Sequence, residues 1–245
     1  GEETIEALCD RRFGIGADGL IAVEPSQGKG GIVRMRYYNA DGGEAEMCGY
    51  GAHCFGNFAA ALLHHDKTAP LPFETMAGVV TATFEKDGNV TVNLTNPHSM
   101  QLFVLNADPT VGADVHFLNS GVSHAVAFLD KLEGLDISRL GAYLRYHEAF
   151  SPKGTNANFA RILSPGHIAI RTYERGVEDE TLACGTGMTA CALLHAVLTD
   201  APSPIQVDVA GGDTLKVGFQ RTGDRFTDVT LTGPADLVFT GDIQI

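Results

Sequence analysis

The same short pattern occurs twice in this sequence, and that repeat limits the fold more than any other feature. Residues 47–65 read MCGYGAHCFGNFAAALLHH, and residues 183–198 read ACGTGMTACALLHAVL. Each copy contains Cys-Gly-x-Gly and runs into an Ala/Leu-rich stretch. Each follows acidic, loop-like sequence, NADGGEAE before Cys48's copy and ERGVEDETLA before Cys184's copy. Recurrence of this kind marks a duplicated supersecondary unit. Both copies read as a loop feeding a helix. Phe55, Phe58, Ala59, Leu62 and Leu63 fall at helical spacing in the first copy, and Ala190, Leu193, Leu194 and Val197 do so in the second.

The sequence around these helices is strand-like. The segment VVTATFEKDGNVTVNLT alternates apolar and polar residues across Asp87-Gly88-Asn89, a hairpin signal. IAIRTYERG, PIQVDVAGGDTLKVGFQ and FTDVTLTGPADLVFTG continue the alternation. The chain has 245 residues, enough for two lobes of roughly 120 residues. The expected fold class is α+β: two lobes, each a curved sheet with a helix tucked into it. The expected boundary lies near Asn96-Pro97, giving an N-terminal lobe of residues 1–95 and a C-terminal lobe of residues 96–229. A last strand, within residues 230–245, is expected to return to the first lobe.

Composition excludes several function classes. The formal net charge is −13 and no basic stripe is present, which argues against a nucleic-acid partner. No apolar run approaches the ~20 residues of a membrane span, so no membrane partner is expected. GEETIEALCDRRF lacks a signal-peptide pattern. Five cysteines, Cys9, Cys48, Cys54, Cys184 and Cys191, are an odd number in a chain that is not small. This favours a reducing cytoplasm over a disulfide scaffold. Cys48, His53 and Cys54 lack the paired gaps of a zinc site, and no metal is expected. Cys9, Cys54 and Cys191 read as small buried hydrophobes.

Cys48 and Cys184 read differently because of their shared glycine context. A thiol at a helix N-terminus meets unsatisfied N–H groups and the positive end of the helix dipole, both of which favour thiolate. The same end binds carboxylates. Two such ends around one substrate would hold its carboxylate and place a sulfur on either side of the adjacent Cα. That arrangement inverts a stereocentre: one thiolate removes the α-proton and the other thiol returns a proton from the opposite side. No cofactor is required. Gly14 to Gly19, Gly-Ile-Gly-Ala-Asp-Gly, has no clear preceding strand and is not read as a phosphate loop.

RRFGIGADGLI, YYNADGGEAEMCGYGAHC, SPKGTNANF, YERGVEDETLACGTGMTAC and LTGPADLVFTGDI together resemble the diaminopimelate epimerase family over nearly the whole chain. The resemblance implies two pseudo-symmetric lobes, each a curved, barrel-like mixed or antiparallel sheet around a central helix. It implies cofactor-independent interconversion of LL- and meso-diaminopimelate, a step of lysine and cell-wall precursor synthesis. It maps Cys48 and Cys184 onto the acid/base pair, with Cys184 as proton acceptor and Cys48 as donor in the LL-to-meso direction. His124 and Glu174 match the polar pair near the sulfurs. Asn39, Asn156 and Arg175 match substrate-binding residues, and Gly49, Tyr50, Gly185 and Thr186 supply N–H groups at the helix ends. Family members are often dimers, so the resemblance allows a homodimer.

Some positions depart from the family pattern. The family usually opens with a strand and a His-Gly-x-Gly-Asn-Asp-Phe segment, and this sequence begins after that point. Tyr50 replaces the asparagine of Cys-Gly-Asn-Gly, Val122-Ser123-His124 replaces Asn-Pro-His, and Gly19 stands where some members carry glutamine. A proline or hydroxyproline racemase-like enzyme would use a similar cysteine pair, but its substrates have no distal carboxylate for Arg175. A redox-sensing binding protein could instead join the two thiols reversibly.

Overall fold

A computed structural model of the chain describes residues 1–45 and 49–244. Cys48, with the expectations attached to it, lies outside the described residues. The chain divides into two compact units, residues 1–92 with 234–245, and residues 93–233.

The first unit opens with α1 (Glu2–Cys9). Its strands are β1 (Gly19–Pro25), β2 (Val33–Asn39), the two-residue β3 (Glu44–Ala45), β4 (Leu71–Thr75), β5 (Gly78–Phe84) and β6 (Val90–Asn93). The order in the sheet is β1-β2-β4-β5-β6, with β3 against β2. The β2–β4 pair is parallel and the other pairs are antiparallel. The helix α2 (Gly49–Leu62) lies between β2 and β4 in the chain. The Gly14–Gly19 run follows a helix rather than a strand, so it lacks the context of a dinucleotide loop.

The hairpin forms at Asp87-Gly88-Asn89, where Gly88 takes φ +92° and Asp87 caps the turn by accepting from the Asn89 N–H. Of the apolar residues at helical spacing in this copy of the repeat, Phe55 and Ala59 are buried and Phe58, Leu62 and Leu63 are not. Phe58 and Leu62 are 48% and 55% exposed, while Gly49, Gly51, Ala52, Phe55, Gly56, Ala59 and Ala60 face inward. The helix turns its small residues to the sheet because the backbones approach closely. A Cβ on Gly56 would sit 2.7 Å from the Ala82 Cβ.

In the second unit the strands are β7 (His98–Asp108), β8 (Ala113–Asn119), β9 (Ser123–Phe128), β10 (Asn156–Ser164), β11 (His167–Glu174), β12 (Asp179–Thr181), β13 (Ile205–Asp208), β14 (Thr214–Thr222) and β15 (Arg225–Gly233). Their order is β15-β14-β13-β11-β10-β9-β8-β7, with β12 against β11. The β11–β13 and β10–β9 pairs are parallel. The helix α3 (Ile137–Arg145) packs on β10 to β12. The helix α4 (Gly185–Thr199) packs on β8 to β11 and β13 to β15. It is mostly apolar, as an enclosed helix must be: every residue from Gly187 to Ala196 is buried, with Thr189 and His195 as the polar exceptions.

The repeat seen in the sequence extends to the topology. β1-β2-β3-α2-β4-β5-β6 and β10-β11-β12-α4-β13-β14-β15 share one plan. In each, an antiparallel pair is followed by a stub strand and a helix, a parallel neighbour and two antiparallel additions. The fold is α+β. Residues 234–244 are not the strand that the sequence suggested: β15 ends at Gly233, just before Pro234, which has no N–H to give a ladder. Among the described residues, no helix is long and apolar enough to cross a membrane.

Gly56→Ala tests the close packing of α2. Alanine gains about 1 kcal/mol over glycine in a helix, but overpacking costs about 1–3 kcal/mol, and a 2.7 Å approach favours the cost. Urea unfolding should show a lower midpoint for the variant. A midpoint at or above wild type would mean that the helix can move off the sheet freely.

Candidate active site

Strand alternation builds the site of the second unit. Side chains two apart share a sheet face. Ala125, Ala127, Ala157, Phe159 and Tyr173 belong to the apolar core that also contains Leu140 and Leu144 of α3. The alternate positions, His124, Asn156, Asn158, Thr172 and Glu174, therefore lie on the other face, the side of α4. Register brings them level: Asn156 pairs with His124 across β10–β9, and Asn158 pairs with Thr172 across β10–β11. One stripe of polar side chains thus crosses three adjacent strands at the amino end of α4.

Cys184 is the N-cap residue of α4, in extended backbone conformation and without a full capping hydrogen bond from its side chain. It is only 5% exposed. Three groups address its sulfur. The Thr186 hydroxyl lies 3.6 Å away, the Gly187 N–H leans toward it, and the Glu174 carboxylate accepts from the thiol. Burial pushes the thiol well above its ordinary value, and the negative charge of Glu174 pushes it further. The Thr186 hydroxyl and Gly187 N–H pull the other way. The thiolate expected from the helix end alone is therefore not the resting form, because burial and a like charge outweigh the helix terminus.

The second glycine of the motif is explained by contact. A Cβ on Gly187 would fall 2.5 Å from Asn158 Oδ1 and 3.3 Å from Cys184 Sγ. Only a glycine lets the sheet's polar stripe and the sulfur meet over the helix end. The β8–β9 turn closes the same place: the Ser120 hydroxyl donates to the Thr186 carbonyl at 2.7 Å. Gly121, at φ +114°, lies against the Thr186 methyl. Val122 is in this turn, where its carbonyl accepts from the Ser120 N–H.

His124 is fully buried and reaches the sulfur through Thr186, whose Oγ1 is 2.9 Å from His124 Nε2. Burial and the charge of Arg175 pull His124 down to about 3, so the ring is neutral at physiological pH. Asn156 accepts from the Arg175 N–H through Oδ1 at 2.7 Å, which leaves its amide N–H groups as the outward function, suited to a carboxylate. The Arg175 guanidinium has one bond to the Lys153 carbonyl, at 3.4 Å. By position, the N–H groups of Gly185 and Thr186 have no acceptor within α4.

In the first unit, Asn39 is exposed at the end of β2, opposite Gly19. Its N–H and carbonyl close the turn through Gly43 and Gly42. A Cβ on Gly19 would meet the Tyr37 ring at 2.9 Å and the Tyr38 carbonyl at 2.5 Å, so the glutamine of some family members has no room here. Gly49 is buried at the start of α2, and the half-buried Tyr50 ring lies 6.0 Å from His53. Within the second unit, the structure brings Cys184, Thr186, His124, Glu174, Asn156 and Arg175 together. Sequence reasoning missed Asn158, Thr172 and Ser120. The first two are findable by counting two residues from Asn156 and from Glu174.

The family model described as diaminopimelate epimerase matches residues 1–100 and 116–238. A diaminopimelate epimerase of Flavobacterium psychrophilum is 40% identical over 237 residues, covering 96% of this chain and 87% of the relative. That of Chlorobaculum tepidum is 40% identical over 245 residues, covering 99% and 91%. Among solved structures, a phenazine biosynthesis protein of the PhzF family from Bacillus anthracis matches with TM-score 0.70 at 15% identity, over 96% of this chain and 86% of that one. A hydroxyproline epimerase from Agrobacterium vitis, with bound trans-4-hydroxy-L-proline, matches with TM-score 0.65 at 18% identity, over 95% and 76%. These likenesses establish the shared fold. The full-length identities and the family match carry more, and with them the chain belongs to the diaminopimelate epimerase family.

Proposed function

We propose that the protein converts LL-diaminopimelate to meso-diaminopimelate without a cofactor, using Cys184 and Cys48 as its two acid/base groups. The observation that carries the reading is the setting of Cys184. It is a buried thiol at a helix start, with a carboxylate to take its proton and two donors to hold the thiolate.

The steps balance as proton transfers. The Cys184 proton passes to the Glu174 carboxylate, and the thiolate formed removes the substrate's α-proton. Charge from the carbanion spreads into the α-carboxylate, where N–H groups of the first helical turn, Gly185 and Thr186, stabilise it without reorganising. Gly49 and Tyr50 have the corresponding role in the other copy of the motif. Cys48, as thiol, delivers its proton to the opposite face of Cα. Exchange with solvent then returns a proton to Cys48 and removes one from Glu174. Arg175 pairs with the distal carboxylate in a bidentate manner. Asn39 and Asn156 hydrogen-bond the substrate's polar ends, and His124 acts through Thr186. The reading requires both thiols reduced, as in a cytoplasmic setting.

Substrate incubated in D₂O with reductant should gain deuterium at the inverted carbon. Cys184→Ala should lower kcat by about 10²–10⁴-fold, the usual contribution of a positioned acid/base group. Absence of deuterium at Cα with the reduced wild-type protein would end the proposal. Inversion of proline or hydroxyproline in place of diaminopimelate would move the specificity to the racemases of the same fold.

Two measurements on Glu174 should go in opposite directions. Its charge raises the Cys184 pKa, so Glu174→Gln lowers that pKa and increases the thiolate fraction at any pH below it. Alkylation of Cys184 by iodoacetamide, followed by peptide mass spectrometry, should become faster at pH 8. Turnover should nonetheless fall, because an amide cannot take the thiol's proton. In the wild type the raised pKa keeps thiol dominant through neutral pH, so alkylation should climb through pH 9 without levelling. A plateau below pH 9 would contradict the assigned electrostatics.

A further inference from the structure

The hydrogen bonds behind Cys184 have a direction that can be worked out atom by atom. Asn158 is wholly buried between β9, β11 and α4. Its Nδ2 lies 3.0 Å from the Ala125 carbonyl and 3.0 Å from His124 Nδ1. A carbonyl only accepts, so the atom facing Ala125 must be the amide nitrogen. The other atom, Oδ1, accepts from the Thr172 hydroxyl at 3.0 Å. The amide therefore cannot be flipped without placing oxygen against oxygen. Its second hydrogen then points at His124 Nδ1, which must carry a lone pair. A neutral ring with a bare Nδ1 has its proton on Nε2. That proton is given to Thr186 Oγ1. The single hydrogen of Thr186 is thereby left for Cys184 Sγ.

We propose that Asn158 is a positioning residue for the reaction: locked by Thr172 and the Ala125 carbonyl, it holds His124 as the Nε2–H tautomer, so that Thr186 donates to the Cys184 sulfur rather than accepting from it. This rests on Cys184 being an acid/base group, as proposed above. It gives a role to the second asparagine of Gly154-Thr155-Asn156-Ala157-Asn158, whose side chain acts three hydrogen bonds away from the sulfur. It also explains why β11 carries a buried threonine, Thr172, directly opposite Asn158. His124 is then a relay of orientation and does not itself take up the substrate's proton. A donor on the sulfur favours thiolate, the form that removes the α-proton. The same donor has no acceptor role that would trap the thiol.

Asn158→Asp reverses the chain. A carboxylate beside Nδ1 draws the ring proton there, Nε2 becomes an acceptor, and the Thr186 hydrogen turns to His124. The pH profile of Cys184 alkylation in the substrate-free protein should move up by about one unit, roughly tenfold in thiolate at a fixed pH. The added charge could raise the profile by itself, so the same change is made in a Thr186→Val background. A double-mutant cycle isolates the part that passes through Thr186. If the chain operates, Asn158→Asp shifts the profile much less when Thr186 is absent. An equal shift in both backgrounds would overturn the proposal, since Asn158 would then act by charge alone. The ring ¹⁵N shifts of His124 in the wild-type protein supply a readout independent of any variant's folding: a bare Nδ1 supports the assignment, and a protonated Nδ1 overturns it. Thr172→Ser, which keeps the lock on the amide, should leave both readouts at wild-type values. Failure of wild-type epimerisation in D₂O alongside a bare Nδ1 would instead overturn the epimerase reading, and the two failures are thereby told apart.

Discussion

The second unit depends on how a helix with no exposed face begins. α4 is enclosed by strands along most of its length, and its start at Cys184 and Gly185 is buried. The N–H groups there must find partners, because an orphaned buried donor costs about as much as a lost hydrogen bond. Serine, threonine, aspartate or asparagine at the N-cap would satisfy one of them and add typically about 1 kcal/mol. The chain places Cys184 there, a poor cap with no full capping bond, and follows it with glycine, threonine and glycine. That choice forgoes local stability and keeps N–H groups available to a carboxylate. It fits the proposed role of the site and has no evident structural benefit.

The sheet supplies what the helix end lacks. A strand face under a mostly apolar helix would ordinarily be apolar, and toward its far end β11 is so, at Ile168 and Ile170. Near the amino end of α4 the face becomes polar: His124, Asn156, Asn158, Thr172 and Glu174. Buried polar groups are tolerable when every member is satisfied. Here the Asn158 partners His124 and Thr172 come from strand register, while Arg175 and Thr186 complete the set from just beyond β11 and from α4. Gly187 is the complement on the helix. Its missing side chain is the space that Asn158 and the sulfur share.

How much of this was legible in the sequence follows from how local each signal is. The paired Cys-Gly-x-Gly segments and the Asp87-Gly88-Asn89 hairpin are local, and both were readable. The inward side of α2 was legible in part: Phe55 and Ala59 are buried, whereas Phe58, Leu62 and Leu63 are not. The sheet comes closest at Gly56, where only a glycine fits; Phe55 still packs inward against Phe73, while Phe58 and Leu62 face outward. The strand expected within residues 230–245 failed at Pro234, which ends the ladder. Asn158 and Thr172 escaped notice because neither carries a motif. What defines them is which residue stands opposite, and register between strands separated by a turn is set by the whole sheet. The charge state of Cys184 was misjudged for a similar reason: the helix end is visible in sequence, while burial and the approach of Glu174 are not.

That misjudgement also shows how a buried thiol can serve as a base. Creating an isolated thiolate in the interior would carry a desolvation penalty of several kcal/mol. Hydrogen bonds to a charged acceptor are worth about 1.5–3 kcal/mol each, so the Thr186 and Gly187 donors offset only part of it. Moving the proton from sulfur to Glu174 changes the comparison. The pair bears one negative charge before the transfer and one after it, so the step relocates a charge, from the half-buried Glu174 to the buried sulfur, rather than creating one. The repulsion that holds the thiol protonated disappears in the step that deprotonates it, because the repelling carboxylate is the group that takes the proton. After the transfer the sulfur holds the charge at the point where the two donors converge. On the proposed reading, the raised resting pKa and the capacity to act as a base are two consequences of one arrangement.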